Sequence, residues 1–209
     1  MIFSDEKLSE LRESVRARLS ERRFGHTVSV EAAAEKIAGF CLPEAVSELR
    51  AAAILHDLTK ELDDAEQLAI IKSIGIMLDK TAPPVYHSIT APTVISRDFP
   101  DFATENILSS AYNHTTAAPD MSLFDEIIFV ADYVEDGRTY PSCVAVRDTL
   151  YSAFAKARDR EECIAHLHNA TVSALDNTVL EVVRTGKYLD LRTVEARNAF
   201  LGRRPMPLK

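Results

Sequence analysis

The sequence has no tryptophan, six glycines and three cysteines in 209 residues. The small number of glycines leaves no Gly-rich loop of the kind that cradles phosphates. Cys41, Cys143 and Cys163 are odd in number, lie far apart and include no Cys-x-x-Cys pair. This usage argues against a disulfide framework, and we expect free thiols in a reducing compartment.

Long apolar runs are also missing, since no stretch reaches the length of a transmembrane helix. The N-terminal stretch MIFSDEKLSELRESV is acidic and amphipathic and does not resemble a signal peptide. The net charge of −8 argues against nonspecific binding of nucleic acid, although local cations can still bind a polyanion. We therefore expect a cytoplasmic protein with neither a nucleic-acid nor a membrane partner.

The chain shows no convincing alternation of apolar and polar residues, no internal repeat and no low-complexity linker. Apolar residues make up 46% of the sequence and recur at helical spacing almost throughout. This pattern predicts one all-α domain, a bundle of roughly eight to ten helices. Predicted helix starts lie at Ser4, Pro43 (for a helix that carries HDLTK), Asp63 or Asp64, Ser122, Pro141, about Arg160 and Thr193.

Polar residues stand at positions where these helices should face the core. Single buried histidines and aspartates are usually hydrogen-bonded core residues, caps or ion-pair partners. Burying six of them on five helices would cost much free energy unless a common partner binds them all. The six residues are His26, His56, Asp57, His87, His114 and Asp132.

A bound cation would join all six side chains. Neutral imidazole suits iron, zinc, manganese, cobalt or nickel, and a carboxylate can bridge two ions. Six ligands exceed one four-coordinate zinc site but fit two metals about 3.5–4 Å apart, with Asp57 as the bridge. His166 and His168 are spaced two apart on a predicted helix, cannot share a face and are interpreted as surface or supporting residues.

Signals for a nucleophilic enzyme are weak. The chain has no Gly-x-Ser-x-Gly motif. Cys163 is the one cysteine with a histidine, His166, three residues away on the same predicted helix face. Nothing near that pair resembles a completed triad.

The order His, His-Asp, His, His, Asp resembles the HD-domain metal phosphohydrolases. The match is closer to the YqeK-like family of symmetrical diadenosine tetraphosphate hydrolases, and it extends from about residue 20 to 201. The segments that carry it are RFGHTVSV (23–30), LHDLTKEL (55–62), NHTTAAPDMSLFDEIIFVADYVEDGR (113–138), ALDNT (174–178) and TVEARN (193–198).

The resemblance implies an all-helical HD domain over residues 1–209, with a motif-bearing core at about 20–140 and C-terminal helices at 141–201 packed on it. It also implies a di-iron centre held by the six ligand types, with manganese, cobalt and zinc as alternative metals. A metal-bound hydroxide would attack an inner phosphorus of diadenosine tetraphosphate and release two ADP.

We expect Asp57 and Lys60 to be catalytic. On a helix, Lys60 would lie one turn after His56 and point at the phosphates, whereas the alternative is an exposed lysine paired with Glu61 or Asp64. The predicted substrate-binding residues are Lys60, Arg138, Arg23, Arg197 and Asn198.

The family that the sequence resembles usually has a glycine and a basic residue where Ala117 and Ala118 stand here. It often has glycine at the position of Ser88 and usually an acidic residue at that of Gly25, and none of these departures removes a ligand. The missing basic side chain at Ala118 bears on substrate affinity. Two alternatives stay open: an HD hydrolase of a nucleoside mono- or triphosphate, and a non-catalytic sensor of nucleotide or metal. The sequence also leaves open the identity of the metal, how the protein is regulated and whether it forms a homodimer.

Overall fold

A computed structural model describes residues 2–78 and 81–203 of the chain. Within these ranges there are ten α-helices and no β-strand, so the all-α prediction is confirmed, and none of the helices is long and apolar enough to cross a membrane. The helices are α1 Asp5–Arg16, α2 Glu21–Cys41, α3 Val46–Leu55, α4 Asp64–Ser73, α5 Tyr86–Asp98, α6 Glu105–Asn113, α7 Leu123–Val134, α8 Pro141–Phe154, α9 Arg160–Arg184 and α10 Leu191–Arg203.

Local capping explains most of the helix starts. Ser4 accepts a hydrogen bond from the backbone N–H of Lys7, and both Asp63 and Ser122 form complete capping boxes with the residue three positions on. Pro141 occupies the first position of α8, as predicted. Thr193 does not cap α10, because that helix begins two residues earlier, where the Asp190 side chain accepts from the Arg192 N–H.

Helix α3 differs from the prediction at both ends. Pro43 opens a short 3₁₀ turn, Pro43–Ala45, and α3 ends at Leu55, before HDLTK. His56 caps the helix, because its Nδ1 lies 2.6 Å from the carbonyl oxygen of Ala53, one of the carbonyls that a helix end leaves unpaired. Successive turns follow, so His56 and Lys60 do not share a helix face.

Helix α7 lies in the middle of the bundle and packs on α2, α6 and α9. It is apolar nearly all round, and Ile127, Ile128 and Val130 are completely buried. Buried residues of the C-terminal helices, such as Leu167 and Phe200, belong to the same continuous apolar cluster. We therefore propose that the chain forms a single domain, as predicted from the sequence. The predicted limits of that domain, residues 1 and 209, lie outside the described residues.

A glycine inside α2 offers a test of the helix itself. A Cβ added to Gly25 would meet no heavy atom within 4 Å. Glycine in a helix interior costs roughly 0.5–1 kcal/mol relative to alanine, so Gly25→Ala should stabilise the protein by about that amount. In a chain of this size the melting temperature should rise by about 1–4 °C in a thermal unfolding scan.

Two further glycines serve as controls for this prediction. Gly39 lies in the same helix with equally open space, so Gly39→Ala should shift the melting temperature in the same direction. Gly75 has a φ of +73°, which an L-residue adopts only with strain, so Gly75→Ala should lower the melting temperature. A lower melting temperature for Gly25→Ala would contradict the open environment seen here.

Candidate metal centre

Asp57 lies at the centre of the predicted ligands, in the turn that follows α3. Its Oδ1 is 3.3 Å from His87 Nε2 and 3.4 Å from His114 Nε2. Its Oδ2 is 3.6 Å from His56 Nε2 and 3.7 Å from His26 Nε2. One carboxylate therefore presents each of its two oxygens to a different pair of imidazoles.

The fold brings these ligands together from separate helices. His26 lies on α2, His87 in the first turn of α5 and His114 at the end of α6. Asp132, in the last turn of α7, places its Oδ1 3.0 Å from His26 Nε2. All six predicted ligands thus meet at one point of the described structure.

The donor atoms form two groups that share Asp57. One group is His26, His56 and Asp57, and the other is Asp57, His87 and His114, with the donor atoms of each group within 4.8 Å of one another. Asp132 adjoins the first group through His26. Two adjacent cation sites with a shared carboxylate fit this arrangement.

The hydrogen bonding of the histidines also fits metal ions. His56 is completely buried, and its Nε2 has no hydrogen-bond partner among the described residues. When Nδ1 donates to the Ala53 carbonyl, Nε2 carries the free electron pair that a metal needs. The Nδ1 atom of His114 likewise lies close to a carbonyl oxygen, 2.8 Å from that of Ala111. The residues present therefore fit a metal centre, since an unpaired buried nitrogen is otherwise costly.

The pKa values of His56, His87 and Asp57 are shifted in the direction that suits metal ligands. Burial lowers the pKa of His56 to about 4. Burial, together with the nearby Lys60 ammonium, lowers the pKa of His87 well below its usual value. Burial alone would raise the pKa of Asp57, but the surrounding His56 and His114 hold it well below the usual range. Neutral imidazoles around an ionised carboxylate are what a cation requires.

Three cationic side chains line the cavity of about 340 Å³ that contains this cluster. Arg23 Nη1 lies 2.8 Å from Asp57 Oδ2, and Arg138 Nη2 lies 2.7 Å from Asp132 Oδ1. Lys60 Nζ lies 3.1 Å from both ring nitrogens of His87. Three cations therefore face the carboxylates of Asp57 and Asp132 in this cavity, in a chain whose overall charge is negative.

The alternative for Lys60 was a surface lysine paired with a neighbouring carboxylate. Lys60 instead lines the cavity, and its pKa is lowered by burial. Glu61 accepts hydrogen bonds from the backbone and hydroxyl of Ser20, at 2.6 Å each. The geometry therefore favours a role for Lys60 in the site.

Arg197 and Asn198 are not brought to this cavity. Arg197 Nε donates to Asp176 Oδ1 at 2.7 Å, and its Nη1 donates to Asn198 Oδ1 at 3.3 Å. Neither residue lines the cavity around Asp57. Their expected role as substrate-binding residues has no support in this geometry.

His166 and His168 also lie away from the cluster, as expected. His168 Nδ1 is 2.7 Å from Glu126 Oε2 in a pair between α9 and α7. His166 lies on α9 and borders a separate groove between α8 and α9.

Several residues of the site were missed by the sequence argument. Thr115 Oγ1 lies 2.9 Å from His87 Nε2 and 3.0 Å from His114 Nε2. Glu135 Oε1 lies 3.2 Å from His26 Nδ1 and orients that ring. Thr115 and Glu135 neighbour ligands in sequence, which could have indicated them. The sequence argument assigned no role in the site to the other residues that line the cavity, which are Phe129, Tyr133, Cys143 and Thr178.

The departures from the family pattern leave the ligands in place. Ala117 is buried and has a φ of 58°, a left-handed conformation that favours glycine. This explains why glycine is usual there in the family that the sequence resembles. Ser88 donates to the Val85 carbonyl at 2.8 Å, and Ala118 packs on the core without lining the cavity.

Comparisons with known proteins agree with this geometry. Residues 23–137 match the family model described as the HD domain. A symmetrical bis(5′-nucleosyl)-tetraphosphatase of Halalkalibacterium halodurans is 27% identical over 190 residues, covering 90% of this chain and 93% of the relative. The protein of the same name from Bacillus subtilis is 33% identical over 137 residues, covering 64% and 72%.

A solved structure also resembles the whole fold. It is a crystal structure from Clostridium acetobutylicum at 1.50 Å resolution, described as a predicted HD superfamily hydrolase involved in NAD metabolism. The TM-score is 0.79 at 25% sequence identity, and the alignment covers 98% of this chain and 100% of the other.

Proposed function

This chain belongs to the HD domain family, and we propose on that premise that it is a metal-dependent hydrolase that cleaves diadenosine tetraphosphate symmetrically into two ADP. The observation that carries the proposal is the ligand cluster around Asp57, flanked by three cations in one cavity. The names of its relatives, one of them aligned over 190 residues, support the substrate.

Two transition-metal ions would be held by the cluster, with Asp57 between them. The mixture of imidazole and carboxylate suits iron, which we propose, and also manganese, cobalt or zinc. When bound, such ions supply an activated water and neutralise phosphate charge. The proposed ligands are His26, His56 and Asp132 on one side, His87 and His114 on the other, and Asp57 shared.

The cationic side chains would position the phosphate chain. Phosphoryl transfer depends mostly on positioning and on neutralisation of charge. Lys60 lies beside His87, and Arg138 lies beside Asp132, so cations stand on both sides of the cluster. Arg23 adds a third cation at Asp57. These groups offset the repulsion that the net charge of −8 would exert on a tetraphosphate.

The bond that breaks can be located with oxygen-18 water. Attack of water on an inner phosphorus, with ADP as the leaving group, breaks the central P–O–P bridge of diadenosine tetraphosphate, so we expect ADP as the sole product. One ADP of each pair should carry the label on its terminal phosphate, as measured by separation of the products and mass spectrometry.

The other products distinguish the alternatives. Equal amounts of AMP and ATP would refute symmetrical cleavage while leaving the metal centre in place. Phosphate or diphosphate released from a mononucleotide, with no cleavage of the dinucleotide, would favour another HD hydrolase. Metal-loaded protein that binds nucleotide without turnover would favour the sensor. A cytoplasmic location and a homodimer remain predictions.

A further inference from the structure

A second cavity, of about 440 Å³, adjoins the metal centre. Its walls come from the turn at 82–85, the residues after His114, the C-terminal part of α9 and the segment that leads into α10. We call it the Tyr188 cavity, and its apolar side chains include Pro84, Val85, Val182, Tyr188 and Leu189.

The Tyr188 cavity borders the cavity that contains the ligands. Thr115 and Thr178 line both this cavity and the one around Asp57. The Thr115 hydroxyl lies within 3.0 Å of the Nε2 atoms of His87 and His114. A molecule with a phosphate beside these imidazoles would therefore extend past Thr115 into the Tyr188 cavity.

The chemistry changes along this path from cationic to apolar. Arg23, Lys60 and Arg138 border the first cavity, whereas the surface of the second is mostly apolar, with Lys187 as the cation among its lining residues. Ligand pockets typically combine such apolar walls with a few polar groups. The Asp190 carboxylate lines the Tyr188 cavity and can accept a hydrogen bond from a ribose hydroxyl.

We propose that the Tyr188 cavity binds the base and ribose of one nucleoside diphosphate half, with the base stacked on the Tyr188 ring. This assignment rests on the proposed function and adds the residues that hold the nucleoside. Tyr188 is 47% exposed, so part of its ring is accessible to a ligand. Stacking between a base and an aromatic ring is a common source of nucleotide affinity.

A third cavity, of about 670 Å³, offers a competing location around Tyr140 and Asn177. It encloses a ligand less well, because Tyr140 and Leu180 are each 67% exposed at its rim. In the Tyr188 cavity, by contrast, Val85 and Thr116 form buried walls. The Tyr140 cavity shares Tyr133, Cys143 and Thr178 with the cavity around Asp57. It lacks Thr115, however, which is the residue in contact with His87 and His114.

The absence of tryptophan makes a direct test simple, because Tyr188→Trp would introduce the sole indole of the chain. Titration of the metal-loaded variant with ADP should quench its fluorescence in a saturable way, and inorganic pyrophosphate should not. Tyr140→Trp is the matched control and should show no saturable quenching. Quenching of the Tyr140 variant alone would overturn the assignment.

Equilibrium dialysis with radiolabelled ADP completes the test. Tyr188→Ala should weaken ADP binding by about ten-fold, as expected for loss of one stacked base, while binding of pyrophosphate stays unchanged. If the wild-type protein binds ADP and Tyr188→Ala binds it equally well, the nucleoside site is wrong and the proposed function stands. If the wild-type protein binds no ADP, the nucleoside site is overturned, and the oxygen-18 experiment still decides the proposed function.

Discussion

Asp57→Asn should release metal and lower kcat/KM for diadenosine tetraphosphate by more than about a thousand-fold. Asp57 is the one ligand that belongs to both donor groups found in the described residues, so its loss would remove a ligand from both proposed ions at once. Asparagine keeps the shape of the side chain but not its charge. Elemental analysis should find about two ions per wild-type chain, with iron the expected metal, and a clear loss in the variant.

The matched control is His166→Ala. His166 lies on α9 and borders the groove between α8 and α9 rather than the metal centre. Its removal should leave both metal content and turnover nearly unchanged, and circular dichroism should show that each variant is folded. Similar losses in the two variants would mean that the wrong histidines were assigned. A metal-free protein with full activity would refute the metal centre.

The parts of the fold that depend on local interactions were predictable from sequence. Asp63 and Ser122 begin their helices through capping boxes, which involve residues only three positions apart. The end of α3 was predicted wrongly. Its alanines favour a longer helix, whereas the bond from His56 to the Ala53 carbonyl caps it at Leu55.

The site was predictable to the extent that its residue types are unusual in a core. Histidines and aspartates at apolar positions are costly, so their presence indicated a shared ligand. Thr178 belongs to the same cavity but lies on α9, far from the ligands in sequence, and a threonine carries no such signal. Arg197 is the opposite case. It is a charged residue in a segment that resembles the family, and substrate binding was expected of it, but it pairs with Asp176 outside the cavity.

Lys60→Met is expected to reduce kcat by about a hundred- to a thousand-fold, as for other charged or hydrogen-bonding groups aimed at a developing negative charge. Methionine keeps an unbranched apolar side chain of similar length and removes the ammonium. Lys60 Nζ lies 3.1 Å from the ring nitrogens of His87, beside one of the two donor groups, so its charge acts where the phosphates would bind. Steady-state kinetics with diadenosine tetraphosphate measures the effect.

Metal content separates this role from a structural one. Because Lys60 is not a ligand, Lys60→Met should retain the metal that Asp57→Asn loses. Lys72, an exposed residue near the end of α4, provides the control, and Lys72→Met should match the wild-type protein in every measurement. Unchanged turnover in Lys60→Met would return Lys60 to the role of a surface lysine. Loss of metal would instead show that its main effect is on His87, since the ammonium then fixes a ligand and not the phosphate chain.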